Sequence, residues 1–100
     1  NVTIPATTTE LAEGGALFAG YCSRCHSFTS NLVKGGAVPD LRRTTTAVHA
    51  TFDSIVLGGA RRALGMPSFA KDLDAAQVRL IQAYVVDEAQ RASNLSRVRP

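Results

Sequence analysis

Cys22-Ser23-Arg24-Cys25-His26 holds the only two cysteines of a 100-residue chain, with a histidine directly after the second. C-x-x-C-H is the spacing of covalent haem attachment. Each thiol adds across one vinyl group of the porphyrin, and a two-residue spacer lets both reach the same edge. The histidine then lies on the proximal side with its imidazole at the iron. Two other chemistries use a C-x-x-C pair. A thioredoxin-like dithiol accompanies a βαβ pattern, which is missing here. A zinc site needs four ligands, and Cys22, Cys25, His26 and His49 supply four only at irregular spacing. The favoured reading is one covalent haem c on Cys22 and Cys25, with His26 as an axial ligand; zinc and a redox dithiol stay as the alternatives.

A haem iron needs a sixth ligand or an open position. Met66 is the sole methionine and lies in Gly65-Met66-Pro67. A lone methionine is usually core filler, but a Gly/Pro loop gives packing little reason for one. Met66 is therefore read as the second axial ligand, a soft neutral thioether that favours ferrous iron. His49 competes for the position and would make the haem bis-histidine. Pro39 is read as offering its carbonyl to the outer N–H of the proximal imidazole, which fixes tautomer and ring orientation; its plainer reading is a turn proline. Arg42 or Arg43 is placed to meet a haem propionate, since the guanidinium fork suits carboxylates, against a plainer reading as a solvated pair.

Outward from these residues, three helices are predicted. The first begins near Thr8 or Thr9, with Glu10 and Glu13 in its first turns, where the helix dipole favours negative charge. Leu11, Gly14, Leu17, Phe18 and Tyr21 share one face, and the helix runs into Cys22. Gly14 and Gly15 each cost about 1 kcal/mol of helix propensity against alanine, which makes sense if another helix crosses closely there. Ser27 to Arg43 reads as irregular, broken by Gly35-Gly36 and Pro39. A second helix is predicted from Thr46 to Leu57, with Val48, Phe52, Ile55 and Val56 inward and Gly58-Gly59 at its end. Ala60 to Lys71 reads as loop. The last helix starts at a capping box of Asp74 and Gln77, carries Val78, Ile81, Tyr84 and Val85 as its apolar stripe, and continues to about Ala92. No segment alternates as a strand would, so the expected fold is all-α with long loops.

Composition narrows the function. The chain is 45% hydrophobic and 19% charged, which excludes a disordered polymer and points to one packed domain. Its longest apolar run, Leu80 to Val86, is interrupted by Gln82 and falls far short of the roughly 20 residues that span a bilayer. Net charge is +3, with arginines in scattered pairs and six aromatics outside any basic run. Nucleic-acid binding asks for a clustered basic face with stacking platforms, so it is not expected. Residues 1–9 read as a linker or N-terminal tail without the basic and apolar regions of a signal peptide. That suits a mature chain or a domain boundary. Residues 10–92 read as the domain and 93–100 as a C-terminal tail.

The order Gly14-x-x-x-Phe18, Cys22-x-x-Cys25-His26, Pro39-x-Leu41, Gly65-Met66-Pro67 and Ile81-x-x-Tyr84 resembles class I cytochrome c, from Leu11 to Ala92. The resemblance implies a class I cytochrome c fold of three main helices around one haem. It also implies His26 and Met66 as axial ligands, Pro39 as acceptor for His26, and a first and last helix crossing at Gly14 with Phe18 and Tyr84 packed at the junction. A narrower likeness runs through Gly35-Gly36-Ala37-Val38-Pro39-Asp40-Leu41-Arg42, Ile55-Val56-x-Gly58-Gly59 and Gly65-Met66-Pro67-Ser68-Phe69. These resemble the C-terminal cytochrome domain of quinohaemoprotein alcohol dehydrogenases, in which a propeller holding pyrroloquinoline quinone (PQQ) oxidises an alcohol and the haem domain removes the electrons singly. The 100 residues hold no propeller, so an excised domain, a subunit and a free cytochrome all stay open.

The implied function is one-electron transfer. The donor would be a PQQ-dependent dehydrogenase domain or subunit, and the acceptor another cytochrome, a copper protein or an oxidase. Covalent haem assembly implies export, and hence a periplasmic location. The alternatives are a free cytochrome shuttling to a terminal oxidase, and a haem sensor or peroxidase in which Met66 is displaced.

Overall fold

A computed structural model of the chain describes residues 3–22, 42, 44–61, 66 and 68–98, with side chains as far as 93. Four helices are present among them: α1 (Thr8–Tyr21), α2 (Thr46–Ala50), α3 (Phe52–Val56) and α4 (Ala75–Val98). The described residues contain no strand, and the fold is all-α as expected.

Thr7 caps α1 through a reciprocal pair. The Glu10 N–H donates to Thr7 Oγ1 at 3.1 Å, and the Thr7 N–H donates to Glu10 Oε1 at 2.8 Å. Two otherwise orphaned donors of the first turn are thereby satisfied. The same device opens α4. There the Asp74 N–H donates to Gln77 Oε1 at 2.9 Å, and the Gln77 N–H donates to Asp74 Oδ1 at 2.8 Å. The last helix starts where the sequence puts it but continues to Val98, past Ala92. No glycine or proline interrupts the chain before Pro100. Arg91 extends the regular spacing by bonding Asp87 one turn back at 2.8 Å.

The single second helix expected over Thr46 to Leu57 is two short ones. Thr51, at φ −115° and ψ 20°, breaks the helical path between them. The break turns His49 inward with Phe52, Ile55 and Val56, while Val48 is only half-buried. Beyond α3 the chain reverses at Gly59, whose φ of 68° is the left-handed conformation that glycine adopts without strain.

The main helix–helix contact joins α1 to α4. Gly14 is its closest point. A β-carbon at Gly14 would strike the Leu80 carbonyl oxygen, lie 2.7 Å from the Leu80 carbonyl carbon and sit 3.1 Å from Tyr84 Cβ. Next to this crossing the Phe18 and Tyr84 rings meet at a centroid distance of 5.4 Å, tilted by 45°. The crossing geometry implied by the resemblance is therefore present. Below it Val78, Ile81 and Val85 are fully buried and carry the apolar stripe of α4 into the core.

Candidate haem centre

Cys22 is the C-cap of α1; its N–H donates to the Phe18 carbonyl at 2.8 Å. This places the thiol at the inner end of the helix rather than on its flank. Cys22 is 7% exposed and part of the core formed with Phe18, Phe52, Val56 and Leu73. Burial pushes its pKa up to about 11, because an apolar surround disfavours the thiolate.

Met66, distant in sequence, is half-buried and packs against the same core. Its N–H donates to the Arg61 carbonyl at 3.2 Å. After it, the Phe69 N–H donates to the Val56 carbonyl at 2.8 Å and the Ser68 hydroxyl to the Leu57 carbonyl at 2.6 Å. Phe69 also packs on the core, and its ring meets Tyr21 edge-on at 6.1 Å. The fold thus brings together the first cysteine of the C-x-x-C-H motif and the only methionine around one apolar surface.

Arg42 is half-buried ahead of α2. Cys25, His26, Pro39 and Arg43 lie outside the described residues. His49 is held from α4. Gln82 Nε2 donates to the His49 carbonyl at 3.0 Å and lies 3.1 Å from His49 Nδ1. An amide nitrogen can only donate, so Nδ1 accepts and the ring proton sits on Nε2. The ring also stacks on Phe52 at 5.9 Å with 13° between planes. Burial lowers the His49 pKa, which matches a ring held neutral. Its chemistry is accounted for as a tie between α2 and α4.

The residues present fit a haem. A porphyrin is a large apolar disc, and the surface near Cys22 and Met66 is built from Phe, Val, Leu and Ile side chains. The two sulfur groups there are of the kinds that the cofactor uses: a thiol for a vinyl group and a thioether for the iron.

Residues 9–85 match the family described as cytochrome C oxidase, cbb3-type, subunit III. Quinohemoprotein alcohol dehydrogenase ADH-IIG of Pseudomonas putida is 42% identical over 82 residues, which is 82% of this chain and 11% of that protein. The solved structure of quinohemoprotein alcohol dehydrogenase ADHIIG from Pseudomonas putida HK5 matches with a TM-score of 0.80 and 36% identity, over 93% of this chain and 13% of the solved one. Cytochrome c6 of Rippkaea orientalis is 28% identical over 89 residues, covering 80% of its length. The chain therefore spans only about a ninth of the quinohaemoprotein that it matches.

The fold and these likenesses define a class I c-type cytochrome, and the chain belongs to the cbb3-type cytochrome c family. Within it, the chain is similar to the cytochrome c domains of quinohaemoprotein alcohol dehydrogenases, at 36–42% identity. It carries one covalently bound haem c, and its function is electron transfer through that haem.

Several residues that build the core and its helices have no role in the reading of the sequence. Ser68 and Phe69 were legible only as part of a motif, and Tyr21 as one more residue on a helix face. Gln82 was visible as an interruption in an apolar run, a signal for a buried polar partner. Thr7 and Glu10 form the Thr-x-x-Glu signature of a capping box, which the sequence spells out.

Proposed function

We propose that the chain relays single electrons from a PQQ-dependent dehydrogenase domain or subunit to a second carrier, through a haem attached at Cys22 and Cys25 and ligated by His26 and Met66. The observation that carries this reading is the meeting of Cys22 and Met66 on one apolar core. When bound, the haem supplies a one-electron couple between ferric and ferrous iron.

The chain's own residues would do the rest. Met66 would hold the sixth position with a neutral thioether and so favour the reduced state. Cys22 would hold the haem through a thioether to one vinyl group, a linkage formed by adding S–H across the double bond and so needing no oxidant. Pro39 would accept the outer N–H of His26, and Arg42 would face a propionate. The donor is argued from the likeness to the quinohaemoprotein of Pseudomonas putida, and the acceptor would be another cytochrome, a copper protein or an oxidase. Export to the periplasm follows from covalent haem assembly. No helix among the described residues is long and apolar enough to cross a membrane.

A second reading, a free carrier shuttling to an oxidase, is favoured by the likeness to cytochrome c6, most of whose length this chain covers. One kinetic experiment separates them. The oxidised holoprotein is mixed with a quinohaemoprotein alcohol dehydrogenase trimmed of its own cytochrome domain, plus alcohol, and haem reduction is followed by absorbance. Reduction dependent on both enzyme and alcohol is expected. Failure there, with rapid oxidation of the reduced protein by an oxidase, would favour the free carrier.

A further inference from the structure

We infer that Ser68 and Phe69 are positioning residues for Met66: they dock its loop onto the C-terminal end of α3, with Tyr21 as a brace from α1. The inference rests on the proposal that Met66 ligates the iron.

The last carbonyls of a helix have no partner inside it. In α3 these groups are divided between two uses. The Asp53 carbonyl accepts from the Leu57 and Gly58 N–H groups, and the Ser54 carbonyl from Ala60, closing the turn at Gly58-Gly59. The carbonyls of Val56, the last residue of α3, and of Leu57 after it accept from Phe69 and Ser68. Ser68 Oγ in turn accepts from the Ala70 N–H at 3.3 Å, and the Phe69 carbonyl accepts from Asp72 and Leu73, both at 2.9 Å. The segment two residues after Met66 is therefore fixed at both ends. One end is a helix terminus and the other is the buried Leu73.

Tyr21 adds a different contact. It is 38% exposed, yet its ring meets Phe69 at 75°, the edge-on geometry that aromatic pairs prefer. Tyr21 directly precedes Cys22. One aromatic pair thus ties the end of α1, where attachment begins, to the loop of the sixth ligand.

A thioether is a weak, uncharged ligand, so its occupancy depends on how little freedom the loop has left to lose. The docking bonds restrict that freedom without touching the iron. Their removal should raise the population in which Met66 is detached and the sixth position is open to a competitor.

The test is an imidazole titration of the ferric holoprotein, followed at the near-infrared sulfur-to-iron band. Ser68→Ala should bind imidazole about two- to tenfold more tightly, the weight of one ordinary hydrogen bond. Ser68→Thr keeps the hydroxyl and should return the affinity to that of the parent. Tyr21→Leu, at an exposed position that tolerates change, should give a rise of about two- to tenfold from loss of the aromatic pair; it keeps the test alive if Ser68→Ala does not fold. A lowered melting temperature with parental imidazole affinity in both Ser68→Ala and Tyr21→Leu would overturn the inference and leave a purely structural role. So would failure of Ser68→Thr to restore the affinity. Met66→Ala separates the two levels: if it leaves the band and the affinity unchanged, the ligand assignment itself has failed.

Discussion

Gly14→Ala tests the physical reason for this fold with one methyl group. The added carbon would overlap the Leu80 carbonyl oxygen and stand 2.7 Å from its carbon, where ordinary contact begins at 3.4 Å. Both obstacles are backbone, so relief requires α1 and α4 to part by more than the roughly 0.7 Å that the carbonyl carbon alone asks for, a gap that forfeits at least a quarter to a half of each dispersion contact it opens. Overpacking of this kind costs about 1–3 kcal/mol, and an unyielding backbone puts the site at the top of that range. Helix propensity pulls the other way, favouring alanine by about 1 kcal/mol. The net expectation is a loss of about 2 kcal/mol, or a fall in melting temperature of about 8–16 °C for a domain of this size. Gly20→Ala is the control, because a β-carbon there meets nothing within 4 Å and only propensity acts. It should stabilise by a few tenths of a kcal/mol, since glycine's penalty is smaller near a helix end. Gly15→Ala should fall between them, its new carbon 3.0 Å from the Tyr84 ring, which can shift. Denaturant unfolding of the three holoproteins, read by far-ultraviolet circular dichroism, gives the order. Gly14→Ala as stable as Gly20→Ala would refute the close-crossing argument.

Other perturbations address the site. Intact-mass measurement under denaturing conditions should show a haem-sized increment, and Cys22→Ser with Cys25→Ser should lose both the increment and most helical circular dichroism. A native-like cooperative melt of that double variant would count against haem-dependent folding. Met66→Ala should abolish the sulfur-to-iron band, lower the reduction potential and admit carbon monoxide, while His49→Ala changes none of the three; the reverse pattern would make the haem bis-histidine. His49 also predicts a pH dependence. Its folded pKa lies below the ordinary 6.5, so below that pH the unfolded chain binds more protons than the folded one. Its stabilising effect is therefore present above pH 6.5 and lost as pH falls through the folded value. His49→Gln, which keeps an acceptor without titrating, should show a flatter stability curve between pH 7 and 5, and an unchanged slope would contradict the neutral-ring assignment.

The parts of this architecture that the sequence spells out are those governed by local rules. The Asp74 and Gln77 cap follows from residues three apart, and the stripe from Val78 to Val85 follows from helical periodicity. The crossing at Gly14 was legible because two glycines in a helix demand an explanation that local propensity does not offer. The break at Thr51 was not. Residues 46 to 57 read as one helix, since nothing in Ala-Thr-Phe-Asp is a strong breaker. The observed kink is a tertiary matter: it brings His49 to Gln82 and Phe52, partners 33 and three residues away. At the site, residue types announced Cys22 and Met66, whereas the docking of Ser68 on the Leu57 carbonyl depends on where α3 ends. Periodicity placed that end only to within a residue or two.

The two sulfurs are set by different routes, and this bears on how the electron-transfer unit tolerates change. Cys22 is positioned by α1, and α1 by its contact with α4, where Gly14 fixes the separation. Met66 is followed by Ser68 and Phe69, which bond the carbonyls of Leu57 and Val56 at the end of α3, and α2 and α3 together are held by the His49–Gln82 bond and the packing of Phe52 and Val56 on α4. Both routes end on α4, at Leu80 and Tyr84 for the first and at Gln82 and the buried Val78, Ile81 and Val85 for the second, and the Tyr21–Phe69 pair joins them at one point. A substitution at the crossing should therefore lower stability more than it raises imidazole affinity, if Met66 ligates the iron as proposed. One at Ser68 should do the opposite. Measuring imidazole affinity and melting temperature across Gly14→Ala and Ser68→Ala would expose that separation. If the two quantities moved in proportion in both variants, α4 would be transmitting strain between the routes as one rigid body, and the independence argued from these contacts would be wrong.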